Sequence, residues 1–156
     1  MKKYILILFL TLGFAFTLSA AQPGTCPVGE AWVKAFTAND LEAVLALYAP
    51  DAHLFPPDEV EAVGMEAMRA NYGGMMNTFT VKEAKMLDAH HEIEGNLCFS
   101  WGRFSVTLVP KAGGDPINME GRFSDVSRKI KGKWLYIVDH ASINPTPPQA
   151  QTQPAN

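Results

Sequence analysis

Two charged residues stand out because of the company they keep. Arg103 lies in LCFSWGRFSV and Asp139 in LYIVDHAS, stretches otherwise rich in aromatic and aliphatic residues. Held inside an apolar interior, a guanidinium can grip a ligand carboxylate or phenolate through its planar fork. A carboxyl in such a place has its pKa raised by desolvation, and can accept or donate a proton near neutral pH. The same two groups could instead pair with each other and only support the structure. Trp32 and Trp101 pose a similar choice, between filling a core and stacking on a ligand.

Other reactive residue types are poorly arranged for chemistry. His90 and His91 are adjacent, so on a strand they point to opposite faces, and no C-x-x-C pair is present. There is no Gly-rich phosphate loop. The sequence therefore predicts no metal and no cofactor. Cys26 and Cys98 could bridge the amino-terminal segment to a strand. Alternatively, Cys98 is a small core residue and Cys26 a free thiol near a helix start. Met65, Met68, Met75 and Met76 fit helix packing, or an adaptable rim.

The elements that must position Arg103 and Asp139 are strands. GRFSDVSRKIKGKWLYIVDHAS, from Gly121 to Ser142, has β-branched and aromatic runs on either side of Lys131-Gly132 and reads as a long antiparallel hairpin. A two-residue loop pairs Ile130 with Lys133, Ser127 with Tyr136, Ser124 with Asp139 and Phe123 with His140. That register puts Arg122, Ser124, Val126 and Arg128 on one face with Leu135, Ile137, Asp139 and Ala141. Phe123, Asp125 and Ser127 share the other with Trp134, Tyr136, Val138 and His140. Both faces carry apolar side chains, so both should be covered. One would close the domain's own interior, and the other could meet a second subunit. Upstream, Leu97 to Val109 is a strand with Phe99, Trp101, Arg103 and Ser105 on one face and Cys98, Ser100, Gly102 and Phe104 on the other. Gly102 is a candidate bending point.

Before the strands come helices. Val28, Trp32, Ala35 and Phe36 recur at helical spacing, as do Leu41, Val44, Leu45 and Tyr48 after Asn39-Asp40, which suits the end of one helix and the cap of the next. Pro50 should stop the second helix. Ala52 to Phe55 reads as a short strand holding His53 at the surface, and DEVEAV as a solvated loop. GMEAMRANY from Gly64 is a third helix, ending at Gly73-Gly74. Thr78 to Ala89 is a strand, with a turn at Gly95-Asn96 before the next. Helices followed by long antiparallel strands predict an α+β fold with helices packed on one face of a curved sheet.

The ends of the chain read differently. Lys2-Lys3, an uncharged run to Leu18 and Ser19-Ala20-Ala21 form a secretory signal, cut after Ala21, with a core too short to anchor in a membrane. Residues 22–142 would form one domain, in the periplasm or secreted, and the Pro/Gln-rich 143–156 a disordered tail. The 13 basic and 16 acidic residues include Lys2 and Lys3, so the mature chain carries a net charge of about −5. Without a basic stripe, nucleic acid is disfavoured as a partner, and no membrane contact is expected once the signal is gone.

AFTANDLEAVLALYAPDAHLFPP, GMEAMRANY, NLCFSWGRF and the hairpin, in this order and spacing, resemble the nuclear-transport-factor-2-like superfamily, in its SnoaL-like and ketosteroid-isomerase-like branch. The resemblance implies a cone, a cystatin-like α+β roll: a strongly bent mixed, largely antiparallel sheet of about six strands wrapped around about three helices. It also implies an apolar pocket and homodimerisation through the outer sheet face. It places Trp32, Tyr48, Leu54, Trp101, Arg103, Ser124, Val126, Ile137, Asp139 and Ala141 toward the pocket. The tyrosine and the base of ketosteroid isomerases fall on Trp32 and Pro56, which cannot serve as phenol or base. The third position falls on Ser124, one residue before Asp125, where a shift in register would restore a carboxyl.

The predicted function is an exported protein that binds a small apolar or aromatic molecule. The alternatives are an isomerase, lyase or cyclase using Asp139 for proton transfer, and a non-catalytic dimerising module with a self-filled interior.

Overall fold

A computed structural model describes residues 26–145, so the predicted signal and residues 146–156 of the predicted tail lie outside the described residues, while Ile143, read as the start of that tail, ends the last strand. The order is α1 (Val28–Thr37), α2 (Leu41–Leu45), β1 (Tyr48–Phe55), β2 (Ala62–Val63), α3 (Gly64–Thr78), β3 (Phe79–Glu94), β4 (Leu97–Pro110), β5 (Ile117–Ile130) and β6 (Lys133–Ile143). One 6-stranded sheet runs β2-β1-β6-β5-β4-β3, with β1 parallel to β6 and every other pair antiparallel. The α+β roll implied by the resemblance is the fold observed.

Local chemistry accounts for the helical corner. Asp40 caps α2 by accepting from the Ala43 N–H at 3.0 Å. Asn39 adopts a positive φ of 55°, and its side chain bonds both backbone groups of Val81, accepting from the N–H at 2.8 Å and donating to the carbonyl at 3.0 Å. The α1–α2 corner is thereby fastened to β3. Cys26 and Cys98 are disulfide-bonded with Cα atoms 6.4 Å apart, which ties the start of α1 to β4.

Several boundaries differ from the sequence reading: Ala62 and Val63, within the stretch read as a solvated loop, form β2, and β5 begins at Ile117, ahead of Gly121. The second helix ends at Leu45, and Tyr48 opens β1, so Pro50 lies inside a strand instead of ending a helix. It is tolerated because the β1–β6 register is irregular between Tyr48 and His53, where no ladder bond is lost. Helix α3 continues through Gly73-Gly74 to Thr78, with Gly73 packed where α2's Leu41 comes close, so packing outweighs a propensity cost of about 1 kcal/mol per glycine. Strand β3 extends through His90-His91 to the Gly95-Asn96 turn.

The sheet bends where β3 and β4 face each other out of register. β3 bulges between Leu87 and His90, with Asp88 at φ 49°. Gly102 lies opposite, and a Cβ there would come within 2.7 Å of the Asp88 carbonyl and 2.9 Å of the Phe123 ring. Only glycine lets the two strands and that ring meet.

The β5–β6 hairpin has the expected turn. Ile130 pairs with Lys133 and Ser127 with Tyr136, but the register then shifts, so Asp125 pairs with Asp139, Ser124 with His140 and Phe123 with Ala141. One extra residue in β6, at Ile137, carries the shift and inverts which β5 residues share a face with Asp139.

Candidate functional site

Between the helices and the concave side of the sheet lies a cavity of about 360 Å³. Rings make most of its wall: Trp32 and Phe36 from α1, Tyr72 from α3, Phe104 from β4, Phe123 from β5 and Tyr136 from β6. Met75, Met86 and Met119 fill gaps between them, and Leu54, Ala141 and Ile143 complete the strand side. One end is bounded by the exposed loop Pro56 to Glu59, where Asn71 donates to Glu59 Oε2 at 2.6 Å.

The polar groups gather on one wall in a directed chain. Trp32 Nε1 donates to the Tyr72 hydroxyl at 3.0 Å, and the Tyr72 and Tyr48 hydroxyls are 2.6 Å apart. Tyr48 donates to Asp139 Oδ2 at 2.5 Å. With Tyr48 committed to Asp139, the proton between the two tyrosines must come from Tyr72, so every donor in the chain points toward the carboxyl. Tyr48 is 3 % exposed and its ring lies 5.0 Å from that of Tyr136. Burial pushes the phenol of each of Tyr48, Tyr72 and Tyr136 up, so all three are neutral donors.

Asp139 has a second carboxyl beside it. Asp125, directly opposite across the β5–β6 ladder, is 6 % exposed, lines the same cavity, and has no hydrogen-bond partner for Oδ1. Burial, and then the charge of Asp139, push the Asp125 carboxyl up to about 7, with the Ser100 hydroxyl pulling the other way. Burial also raises Asp139, opposed by the Tyr48 hydrogen bond and by His140. Two like charges this close cannot both ionise cheaply, so the pair titrates together and holds a proton into the neutral range.

Several residues read toward the cavity from the sequence lie elsewhere. Trp32, Tyr48, Leu54, Asp139 and Ala141 are at the cavity wall or in its hydrogen-bond chain. Ile137 is half-buried against the core at the bulge and is not part of the wall. Ser124 and Val126 face the opposite side of the sheet, because β5 buries the alternate face, that of Asp125 and Ser127 beside Tyr136, and the bulge at Ile137 brings Asp139 to it. Trp101 and Arg103 also face outward: Trp101 is 42 % exposed, and the Arg103 guanidinium is bound to Asp88 at the surface, its Nε 2.9 Å from Oδ2. The strand alternation was right, but the wrong face was assigned to the interior. Continuing β4 corrects it, since Phe104, Val106 and Leu108 are apolar and buried while Arg103, Ser105 and Thr107 are polar. Tyr72 went unnoticed as a site residue. Its spacing of four from Met68 and Met76 marks one helix face, but nothing marks that face as the cavity side.

On the convex side, Phe55, Phe99, Trp101, Val126, Val138 and His140 form an open apolar groove. Phe55 meets His140 edge-on, and His90 stacks on Trp101 with centroids 5.9 Å apart. Among the described residues, no group of three or more His, Cys, Asp or Glu converges as metal ligands. Pro56 lines the cavity rim, and the Trp32 N–H is spent on Tyr72. The wall can therefore offer hydrogen bonds and exchange a proton at Asp125 and Asp139.

Among the comparisons with known proteins, one shows the family and several show the fold. A family model described as SnoaL-like domain matches residues 30–137. A ketosteroid isomerase-like protein from Erwinia carotovora atroseptica SCRI1043 superposes with a TM-score of 0.67 at 21% identity, covering 76% of this chain and 92% of that one. A nuclear transport factor 2-like superfamily protein from Salmonella enterica serovar Typhimurium LT2 gives 0.69 at 19% identity, covering 81% and 92%. A cystatin-like-fold protein from Nostoc punctiforme PCC 73102 gives 0.61 at 22%, covering 78% and 89%. No curated protein matches significantly. With the curved sheet and its ordered helices and strands in place, the family model over most of the chain's length identifies it as a member of the SnoaL-like family.

Proposed function

We propose that this protein binds a small, largely apolar or aromatic molecule in the cavity, with the Asp125–Asp139 pair as its polar anchor. The observation that carries this reading is the pairing of a buried carboxyl that has an unpartnered oxygen with a second, half-buried one, on the wall of an otherwise ring-lined space. A buried polar group left without a partner costs about 1–3 kcal/mol, which a ligand donor would recover. The volume falls in the range of small-molecule sites. Native mass spectrometry of protein recovered from its own compartment tests it, and a retained small molecule is the expected result. An empty protein that no apolar compound stabilises against heat would overturn it.

A second reading, proton transfer in an isomerase, lyase or cyclase, is favoured by Asp139. Its carboxyl has a hydrogen-bonded tyrosine chain on one side and a proton-sharing neighbour on the other. A pH-rate profile on enolisable ketones examines it, and an unchanged rate in Asp139→Asn would reject Asp139 as the base. The exposed convex groove supports homodimerisation, read by sedimentation of Trp101→Glu against the parent. Export to the periplasm or medium is supported by the amino-terminal sequence and by the Cys26–Cys98 disulfide. Cell fractionation that finds the protein unprocessed in the cytoplasm would refute it.

A further inference from the structure

We infer that the ligand of this cavity is a lipophilic amine bound as its ammonium ion, its nitrogen seated between Asp125 and Asp139 and its apolar body against the aromatic wall. The inference rests on the binding reading above and adds the sign of the ligand's charge.

Three features of the cavity point the same way. Among the described residues, its charged lining consists of Asp58, Glu59, Asp125 and Asp139, with no lysine, arginine or histidine. A carboxylate, phosphate or phenolate would enter with no counter-charge. Second, Asp125 is 6 % exposed and Oδ1 lacks any partner, while Oδ2 of Asp139 already accepts from Tyr48. What Asp125 Oδ1 lacks is a donor. An ammonium supplies up to three N–H groups and the positive charge that lets a buried carboxyl ionise. Third, Trp32, Phe36, Tyr72, Phe123 and Tyr136 line the space with aromatic rings, whose faces attract a desolvated cation more strongly than a neutral group of the same size. At the exposed end, Asp58 and Glu59 would raise the local concentration of cations before they enter.

The groups around the pair define the pH dependence. Tyr48 on β1, Tyr72 on α3 and Tyr136 on β6 are neutral phenols, Ser100 faces Asp125 from β4, and His140 lies behind Asp139 on the outer side of β6. None places a fixed positive charge inside the cavity. An ammonium therefore needs the pair to carry a negative charge. Its affinity falls as acid protonates both carboxyls, and it drives out a proton when it binds to the fully protonated pair.

The experiment compares three probes of like shape by calorimetry on the full mature protein: naphthylethylamine, naphthylethanol and naphthylacetate. At pH 8 the amine should bind at least about tenfold tighter than the alcohol, and the acetate more weakly than either. On lowering the pH to 5 the amine's advantage should shrink toward one, with proton release seen in buffers of different ionisation enthalpy. Asp125→Asn combined with Asp139→Asn should abolish the advantage at pH 8, with thermal unfolding as the check that the variant is folded. An alcohol that binds as tightly as the amine, or an advantage that survives in the double variant, overturns the charge assignment and leaves the binding reading standing. Failure of all three probes, and of every other apolar compound tried, removes both.

Discussion

The two faces of strands β4 to β6 are built from similar residues and do different things. On the concave face, Phe104 and Tyr136 are 7 % and 2 % exposed, Asp125 is buried with them, and the half-buried Asp139 lines the same cavity. On the convex face, Phe99 and Trp101 are each 42 % exposed, and the charged groups nearby, such as Arg103 and Asp88, reach water. A ring on the inner face is part of a closed packing problem, and a carboxyl there has only its neighbours to answer it. The outer rings need a covering partner before they contribute comparably.

The contrast can be broken most directly by truncating the inner ring. Tyr136→Ala should lose about 3–5 kcal/mol of stability in urea denaturation, because the rings of Tyr48 and its neighbours cannot collapse into the space. A loss no greater than that of an outer-face truncation would erase the distinction. Next, Asp125→Asn should be more stable than the parent at pH 8, by on the order of 2–4 kcal/mol, and no more stable at pH 4. The sign follows from a folded pKa raised from 3.8 to about 7: the parent is fully stabilised below the ordinary aspartate range and loses stability as pH rises through 7. Parallel pH profiles for parent and variant would show that the inner carboxyl is not confined as described.

Tyr48→Phe should cost about 1–2 kcal/mol, since it removes the donor that Asp139 uses. Carboxyl-carbon NMR titration should then place Asp139 still higher, and an unmoved or lower midpoint would remove Tyr48 from the chain. The smallest effect belongs outside: Phe99→Ala should change the stability of an isolated subunit by less than about 1 kcal/mol. A larger loss that grows with protein concentration would sharpen the comparison differently, by revealing a second copy seated on the groove.

How much of this is legible in the sequence depends on whether local chemistry marks it. The turn at Lys131-Gly132 is, because two residues with positive φ are needed there and glycine supplies one. So is the α2 cap, because Asp40 is the residue type that accepts from a free helix N–H. The bulge in β6 is not. Ile137 stands between Tyr136 and Val138 like any strand residue, yet the extra position reassigns the partners of Ser124, Asp125 and Val126. Alternation from the turn outward is therefore reliable only as far as Ser127. Beyond it, Asp139 reaches the interior beside Asp125 instead of Ser124, and the acidic pair emerges from the shift. Arg103 shows the other failure. Residue chemistry alone made it a plausible partner for Asp139, but the β3 bulge presents Asp88 on the outer side, where the guanidinium can pair without leaving water.

The fastening of Asn39 to Val81 matters beyond the helical corner. β3 lies at one border of the sheet, with β4 on one side and, among the described residues, no strand on the other. By occupying both main-chain groups of Val81, a lone amide side chain imitates the neighbour that is missing. It thereby denies part of that border to a stranger's backbone, a safeguard against fibrous self-assembly set within an ordinary loop.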